Sequence, residues 1–255
     1  MGRLKGHRAL ITGAASGFGA GIARAFAAEG AAVVLADLNL SGAQAVAAEL
    51  QDQGAAASAV QADVGDAASL ATAVDRAEAE MGGLSILVAN AGIGQRPNSF
   101  AETSEDLISH QFRINALGPY LSCQAALPAL RRHGKGASIL ITVSGIALVP
   151  RPGLYGYGMA KAAAGYFMKS LALELAPERI RVNGLFPAVG DTAMLQEFAG
   201  GARDAAKDAQ FAEALPLGRL ITPEDVGAAA VYLSSPSEAG AMTGCSLPVD
   251  AGRCI

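Results

Sequence analysis

Seven short aliphatic runs, at residues 8–12, 32–37, 56–61, 85–89, 137–143, 180–185 and 246–249, alternate with longer alanine-rich segments whose apolar residues recur at helical spacing. Strand, helix, strand in succession places the second strand parallel to the first, because only a long crossover returns the chain in the same direction. Runs such as Val33-Val34-Leu35 and Ile139-Leu140-Ile141 have no polar alternate position, so these strands are expected to be covered on both faces. The intervening helices are predicted at 17–29, 42–53, 67–81, 104–132, 156–176 and 223–234. The fold class is therefore α/β: one doubly wound parallel sheet of seven strands with helices on both faces.

The punctuation agrees. Gly30 and Gly54 stand where helices should end. Ser104 with Glu105-Asp106, and Pro223 with Glu224-Asp225, supply the acidic first turns of two helices. Pro119 and Pro128 fall inside the long predicted helix, and a kink or break is expected near Gly118-Pro119. With 255 residues and no repeat, linker or low-complexity tract, residues 1–255 read as a single domain. The irregular stretch 187–217 holds amphipathic pieces at 194–198 and 208–214, and is expected to cover a substrate. A net charge of −4 without a dense basic block argues against nucleic acid as a partner. Residues 1–7 lack the apolar run of a signal peptide, and no uninterrupted apolar stretch is long enough to span a bilayer. A soluble, cytoplasmic protein without a membrane partner is expected. Cys123, Cys245 and Cys254 form no paired motif, so neither disulfides nor a metal site is expected.

The first strand runs into Thr12-Gly13-Ala14-Ala15-Ser16-Gly17-Phe18-Gly19, and a helix follows. Glycines there let the chain turn sharply and let a pyrophosphate approach bare backbone at a helix N-terminus. The spacing, G-x-x-x-G-x-G, is neither a G-x-G-x-x-G fingerprint nor a Walker loop. Its context is what counts, because Asp37 closes the second strand. A carboxylate at that position accepts hydrogen bonds from both ribose hydroxyls of adenosine and repels a 2′-phosphate. No Lys or Arg follows Asp37 closely and none lies in the turn, so the cofactor expected is NAD rather than NADP.

Tyr157 and Lys161, at i and i+4 of a predicted helix, share one face with Cβ atoms about 6 Å apart. Ser144 lies just past a buried strand. Each alone is commonplace: a surface tyrosine, a snorkelling lysine, a turn serine before Gly145. Together with Thr12–Gly19, Asn90-Ala91-Gly92 and Asn115, in this order and spacing, the chain resembles the short-chain dehydrogenase/reductase family over nearly its whole length. That resemblance implies a Rossmann-like fold and a hydride moved between NAD(H) and a small secondary alcohol or ketone. A free tyrosine titrates near ~10. One lysine charge at about 4 Å, at an effective dielectric of about 20, is worth roughly 4 kcal/mol and would bring the phenol towards neutrality. Tyr157 is then the general acid/base. Lys161 lowers its pKa and holds the nicotinamide ribose, Ser144 binds the substrate oxygen, and Asn115 supports the lysine. Tyr155 is a decoy, since four residues on stands Met159.

By the same resemblance the cofactor is held by Gly13, Ser16, Gly17, Phe18, Gly19, Asp37, Asp63, Val64, Asn90, Gly92, Tyr157, Lys161, Pro187, Gly190 and Thr192. Here Pro187-Ala188-Val189-Gly190-Asp191-Thr192 departs from the family's Pro-Gly, aliphatic, Thr pattern. Gly190 takes the aliphatic place and should make the loop more flexible. The substrate pocket is expected from Ile93, Gln95, Ile146, Leu154, Met194, Leu195 and Phe198, an apolar lining suited to a modest hydrophobic or cyclic ketone. A carboxylate on the substrate could instead be met by Arg96 or Arg151. Alternative readings are a 3-oxoacyl-thioester reductase using NADPH and a nucleotide-sensing module without turnover. The family also implies a homotetramer, built through the long helices and the last strand.

Overall fold

The computed structural model describes residues 2–202 and 204–255. Its strands are β1 (Arg8–Thr12), β2 (Ala32–Asp37), β3 (Ala57–Gln61), β4 (Ile86–Ala89), β5 (Ser138–Thr142), β6 (Arg181–Pro187) and β7 (Ser246–Val249). They form one sheet in the order β3-β2-β1-β4-β5-β6-β7, and every pair is parallel. The helices between or beside the strands are α1 (Gly17–Ala28), α2 (Leu40–Asp52), α3 (Ala67–Met81), α4 (Glu105–Phe112), α5 (Gly118–His133), α6 (Tyr155–Leu175) and α9 (Pro223–Ser234). The remaining helices are α7 (Leu195–Phe198), α8 (Ala205–Glu213) and α10 (Pro236–Ala239). Among the described residues no helix is long and apolar enough to cross a membrane.

The apolar runs divide by alternation. Ala9 and Ile11 of β1, Val33 and Leu35 of β2 and Leu140 of β5 pack with Ile22, Phe26, Leu50 and Val226 from α1, α2 and α9. Leu10, Val34, Ile139 and Ile141 point the other way, towards Val74, Leu130 and Met168 of α3, α5 and α6. Two cores sharing one sheet require both faces of a strand to be apolar, hence the unbroken runs.

The predicted helix 104–132 is two helices, α4 and α5, joined by a π-helical turn over Arg113–Leu117. Pro119 has no N–H to offer the carbonyl of Asn115 four residues back, and the ladder widens there. Pro128 lies inside α5, which continues through it. The stretch 187–217 contains α7 and α8, close to its two predicted amphipathic pieces.

Candidate functional site

A cavity of about 740 Å³ opens at the carboxyl ends of the strands, where the sheet order reverses between β1 and β4. Every catalytic, cofactor or substrate residue named from the sequence lines it except Asn115, Gln95 and Arg96.

At one end stands the glycine turn. Gly13 adopts φ +66°, and a Cβ there would lie 2.6 Å from the Cα of Ala91, so only glycine fits. Ser16 precedes α1 without capping it, which leaves the first-turn amides at Gly17–Gly19 with no side-chain acceptor. Asp37 is oriented by two backbone donors, Ala15 N at 2.9 Å and Asn39 N at 2.8 Å, one on each carboxylate oxygen. The wall beside it is made by Ser16, Leu38, Asp63 and Val64, with no basic side chain. Asp63 accepts from Gly65 N at 2.8 Å.

Two strand-end threonines tie the walls together. The Thr12 hydroxyl accepts from Asn90 N at 3.0 Å and Ala91 N at 3.1 Å. The Thr142 hydroxyl donates to Asn90 Oδ1 at 3.0 Å, and its carbonyl accepts from Lys161 Nζ at 2.9 Å. Their sequence signal is a hydroxyl residue closing an apolar strand.

Ser144, just past β5, caps the short turn Gly145–Ala147 by accepting from Ile146 N at 3.3 Å, donates to Pro187 O at 3.5 Å, and lines the cavity with Tyr157. Tyr157 and Lys161 share the buried face of α6, with the ammonium 5.9 Å from the phenol ring centroid. The titration differs from the sequence expectation. Burial pushes Tyr157 up to about 12; the nearby Ser144 hydroxyl pulls against this and the charge of Glu197 adds to it. Lys161 does not reverse the effect. It is aimed at the Thr142 carbonyl, and its own pKa is brought down to about 8 by burial. Tyr155 packs edge-on against Phe100 at 5.6 Å, away from the cavity lining.

Asn115 is fully buried within the π turn. Its amide clamps Ile93 in both directions, accepting from Ile93 N at 3.1 Å and donating to Ile93 O at 2.9 Å. A Cβ on Gly92 would lie 2.7 Å from Asn115 Oδ1 and 3.3 Å from Lys161 Nζ, so bare backbone separates the two side chains.

Gln95 requires a correction. It is buried outside the substrate pocket, and its Oε1 accepts from Tyr157 N at 2.8 Å while its Nε2 donates to Gly153 O at 3.0 Å. It supplies the cap that Leu154, an apolar residue at the start of α6, cannot provide. That missing cap was the signal in the sequence.

The other end of the cavity is apolar, with Ile93, Ile146, Leu154, Met194, Leu195 and Phe198 on its wall as expected. The Phe198 ring meets Tyr157 edge-on at 5.1 Å. Phe211, Arg151 and Arg253 also line this end, whereas Arg96 is exposed and outside it. Arg253 and Phe211 escaped the sequence reading. The position of Arg253 follows once the last strand is parallel to the rest, because whatever follows β7 emerges at the ligand-binding edge.

The loop after β6 is less free than Gly190 suggested. Ile221 N donates to Val189 O at 3.2 Å and Asp191 N to Ile221 O at 2.8 Å, pinning both sides of Gly190. A Cβ at residue 190 would sit 2.2 Å from Phe18 Cζ, so the phenyl ring fills the space an aliphatic side chain would need. The two positions form a matched pair. Gly190→Val is expected to lose about 1–3 kcal/mol of stability through overpacking and to weaken NADH binding. Phe18→Leu in the same chain should restore both, as read by thermal unfolding and NADH titration; additive losses would mean that the pair is not coupled.

Among the described residues no His, Cys, Asp and Glu group could hold a metal ion. A family model described as enoyl-(acyl carrier protein) reductase matches residues 13–253. The 4-formylbenzenesulfonate dehydrogenase TsaC1/TsaC2 of Comamonas testosteroni is 40% identical over 247 residues, 97% of each chain. The crystal structure of a 3-ketoacyl-(acyl-carrier-protein) reductase from Brucella melitensis complexed with NADH superposes with a TM-score of 0.90 at 39% identity, covering 99% of this chain and 100% of that one. A short chain dehydrogenase from Burkholderia cenocepacia J2315 in complex with NADP gives a TM-score of 0.89 at 36% identity, with 99% and 100% covered.

Proposed function

We propose that this chain, which belongs to the short-chain dehydrogenase/reductase family, moves a hydride between NAD(H) and a small secondary alcohol or its ketone. The observation that carries this reading is the presence of Ser144, Tyr157 and Lys161 together on the wall of a cavity that also holds Asp37. The cavity fits a dinucleotide: uncapped amides at the start of α1 suit a pyrophosphate, and Asp37 keeps acceptor capacity for ribose hydroxyls. In this reading Gly13, Ser16, Gly17, Phe18 and Gly19 hold the pyrophosphate, and Asp63, Val64, Asn90 and Gly92 the adenosine side. Pro187, Gly190 and Thr192 take the nicotinamide side, and Tyr157 and Lys161 its ribose.

Bound NAD supplies the hydride-accepting ring, and the proton is left to the chain. In oxidation the Tyr157 oxygen takes the substrate's hydroxyl proton while Ser144 donates a hydrogen bond to the same oxygen; reduction runs the other way. Lys161 keeps a positive charge behind the phenol, and Asn115 fixes the backbone that both face. Residues 187–217 cover the substrate, a role supported by Phe198 and Phe211 on the cavity wall. A ring-bearing substrate suits that lining and is the kind named for the 40% identical relative. The active form is a homotetramer in the cytoplasm, with neither nucleic acid nor membrane as partner. Exposed Leu117, Tyr120, Met159, Tyr166 and Leu173 on or next to α5 and α6 support contact between copies.

A second reading, 3-oxoacyl-thioester reduction, is favoured by the Brucella neighbour, which itself carries NADH. The test is absorbance at 340 nm with NAD(H) or NADP(H), against secondary alcohols, ketones and an acetoacetyl thioester. The expected result is ketone turnover with kcat/KM for NADH at least about a hundredfold above NADPH, given the cost of a phosphate facing Asp37. A preference for NADPH overturns the cofactor assignment, and turnover of the thioester alone selects the second reading.

A further inference from the structure

Two arginines converge on the substrate end of the cavity from distant parts of the chain, Arg151 from the loop before α6 and Arg253 from the tail after β7. Among the described residues neither forms an ion pair. The acids nearby are otherwise arranged. Both carboxylate oxygens of Asp250 are turned back into their own loop, accepting from Gly252 N at 3.0 Å and Cys254 N at 2.8 Å. Glu197 lies against Gly94, where its Oε2 would be 2.9 Å from a Cβ.

Arg151 lies over an aromatic ring. Its guanidinium carbon lies 5.5 Å from the centroid of the Phe211 ring, an arrangement that occupies one face and leaves the N–H edges available. The Phe211 ring, Phe198 and Arg151 together border a recess adjoining the main cavity, and Phe198 also touches Tyr157. Two aromatic rings of one recess thus touch the proton-transfer group at one side and a cation at the other. Burial and the facing charge of Arg253 both hold Arg151 below the ordinary arginine range, so the two cations repel in the absence of an anion between them.

We propose that Arg151 and Arg253 bind an anionic group, a carboxylate or a sulfonate, carried by the substrate on an apolar ring that lies along Phe198 and Phe211. This rests on the reading of the site as an alcohol/ketone oxidoreductase. It narrows the substrate class from an uncharged cyclic ketone to an anionic one, with Arg151 rather than Arg96 as a reader. A planar fork matches either anion with two N–H donors, which a lysine cannot do.

The test compares NADH-dependent reduction of 4-acetylbenzoate, 4-acetylbenzenesulfonate and the neutral methyl 4-acetylbenzoate in the wild type, Arg151→Gln and Arg253→Gln. Calorimetric titration with benzoate, benzenesulfonate and benzamide accompanies it. The expected result is a lower KM for the acids, with each substitution raising the ratio of acid KM to ester KM by about tenfold to a hundredfold, the value of a hydrogen bond to a charged group. The acid with the lower KM identifies the anion. Ester turnover without preference for either acid, or equal losses on acid and ester, overturns the proposal and leaves the oxidoreductase reading intact. Absence of turnover together with arginine-dependent binding of benzoate or benzenesulfonate overturns that reading and upholds the anion site. Absence of both overturns the two together.

Discussion

Tyr157→Phe is expected to fold, to bind NADH within about twofold of the wild type, and to lose about a hundred- to ten-thousand-fold in kcat/KM, the usual contribution of a positioned acid/base. The ring contributes packing that phenylalanine keeps: the edge contact with Phe198 at 5.1 Å and the backbone bond to Gln95 at 2.8 Å. Only the hydroxyl is removed. Ser144 keeps its bonds, accepting from Ile146 N at 3.3 Å and donating to Pro187 O at 3.5 Å, so no buried group is orphaned. The pH profile carries the sign. Burial holds the phenol at about 12, so at pH 7 it is a proton donor, the state that ketone reduction needs. Alcohol oxidation needs the phenolate, and its kcat/KM should climb between pH 7 and 9 by up to about tenfold per pH unit. The positive ring of bound NAD favours the phenolate and moves this rise to lower pH. Residual activity in Tyr157→Phe should lack the rise. A clean preparation retaining wild-type turnover would remove Tyr157 from the chemistry.

What was legible in the sequence was whatever local spacing determines. Strands covered on both faces read as unbroken apolar runs because Ile139 and Leu140 must each meet a different core. Ser144, Tyr157 and Lys161 were legible because a strand end and one helical turn fix their relative placement. Less accessible was anything settled by a choice among distant partners. Gln95 has an amide that would suit a pocket or a helix start equally well, and the uncapped start of α6 decides it. Pro119 marked the break in the long helix, but the π turn that puts Asn115 against Ile93 depends on packing across the molecule. Phe18 and Gly190 stood out separately, and only the fold shows that one fills the space of the other. The pKa argument was incomplete for a related reason, since burial outweighs the lysine. Spacing gives the lysine's position along a helix, not the depth at which the phenol is buried or the carbonyl that claims the ammonium.

That burial makes Lys161→Met a variant expected to gain stability as it loses activity. Lys161 is 3% exposed, and its ammonium donates to the Thr142 carbonyl at 2.9 Å. Its pKa of about 8, against an unperturbed 10.5, means that the folded chain holds the charged form at a cost. Methionine matches its length and carries no charge, so at pH 7 the variant should be more stable by ~1–3 kcal/mol, the upper end reduced because Thr142 loses a donor. The folded pKa is depressed, so the wild type bears its full penalty below about pH 8 and sheds it as pH rises towards 10.5. The advantage of methionine should therefore be largest at pH 7 and shrink by pH 9.5, as followed by denaturant unfolding at both values. Activity should move the opposite way. A charge 5.9 Å from the phenol ring centroid, at an effective dielectric of about 20, favours the phenolate by about 3 kcal/mol, so oxidation should fall about a hundredfold. A variant no more stable than the wild type at pH 7, or an advantage that persists unchanged at pH 9.5, would show that the Lys161 charge is not held at a cost. A site that keeps such a lysine gives up stability for the chemistry of its neighbour, and the two measurements together separate that trade from a purely structural role.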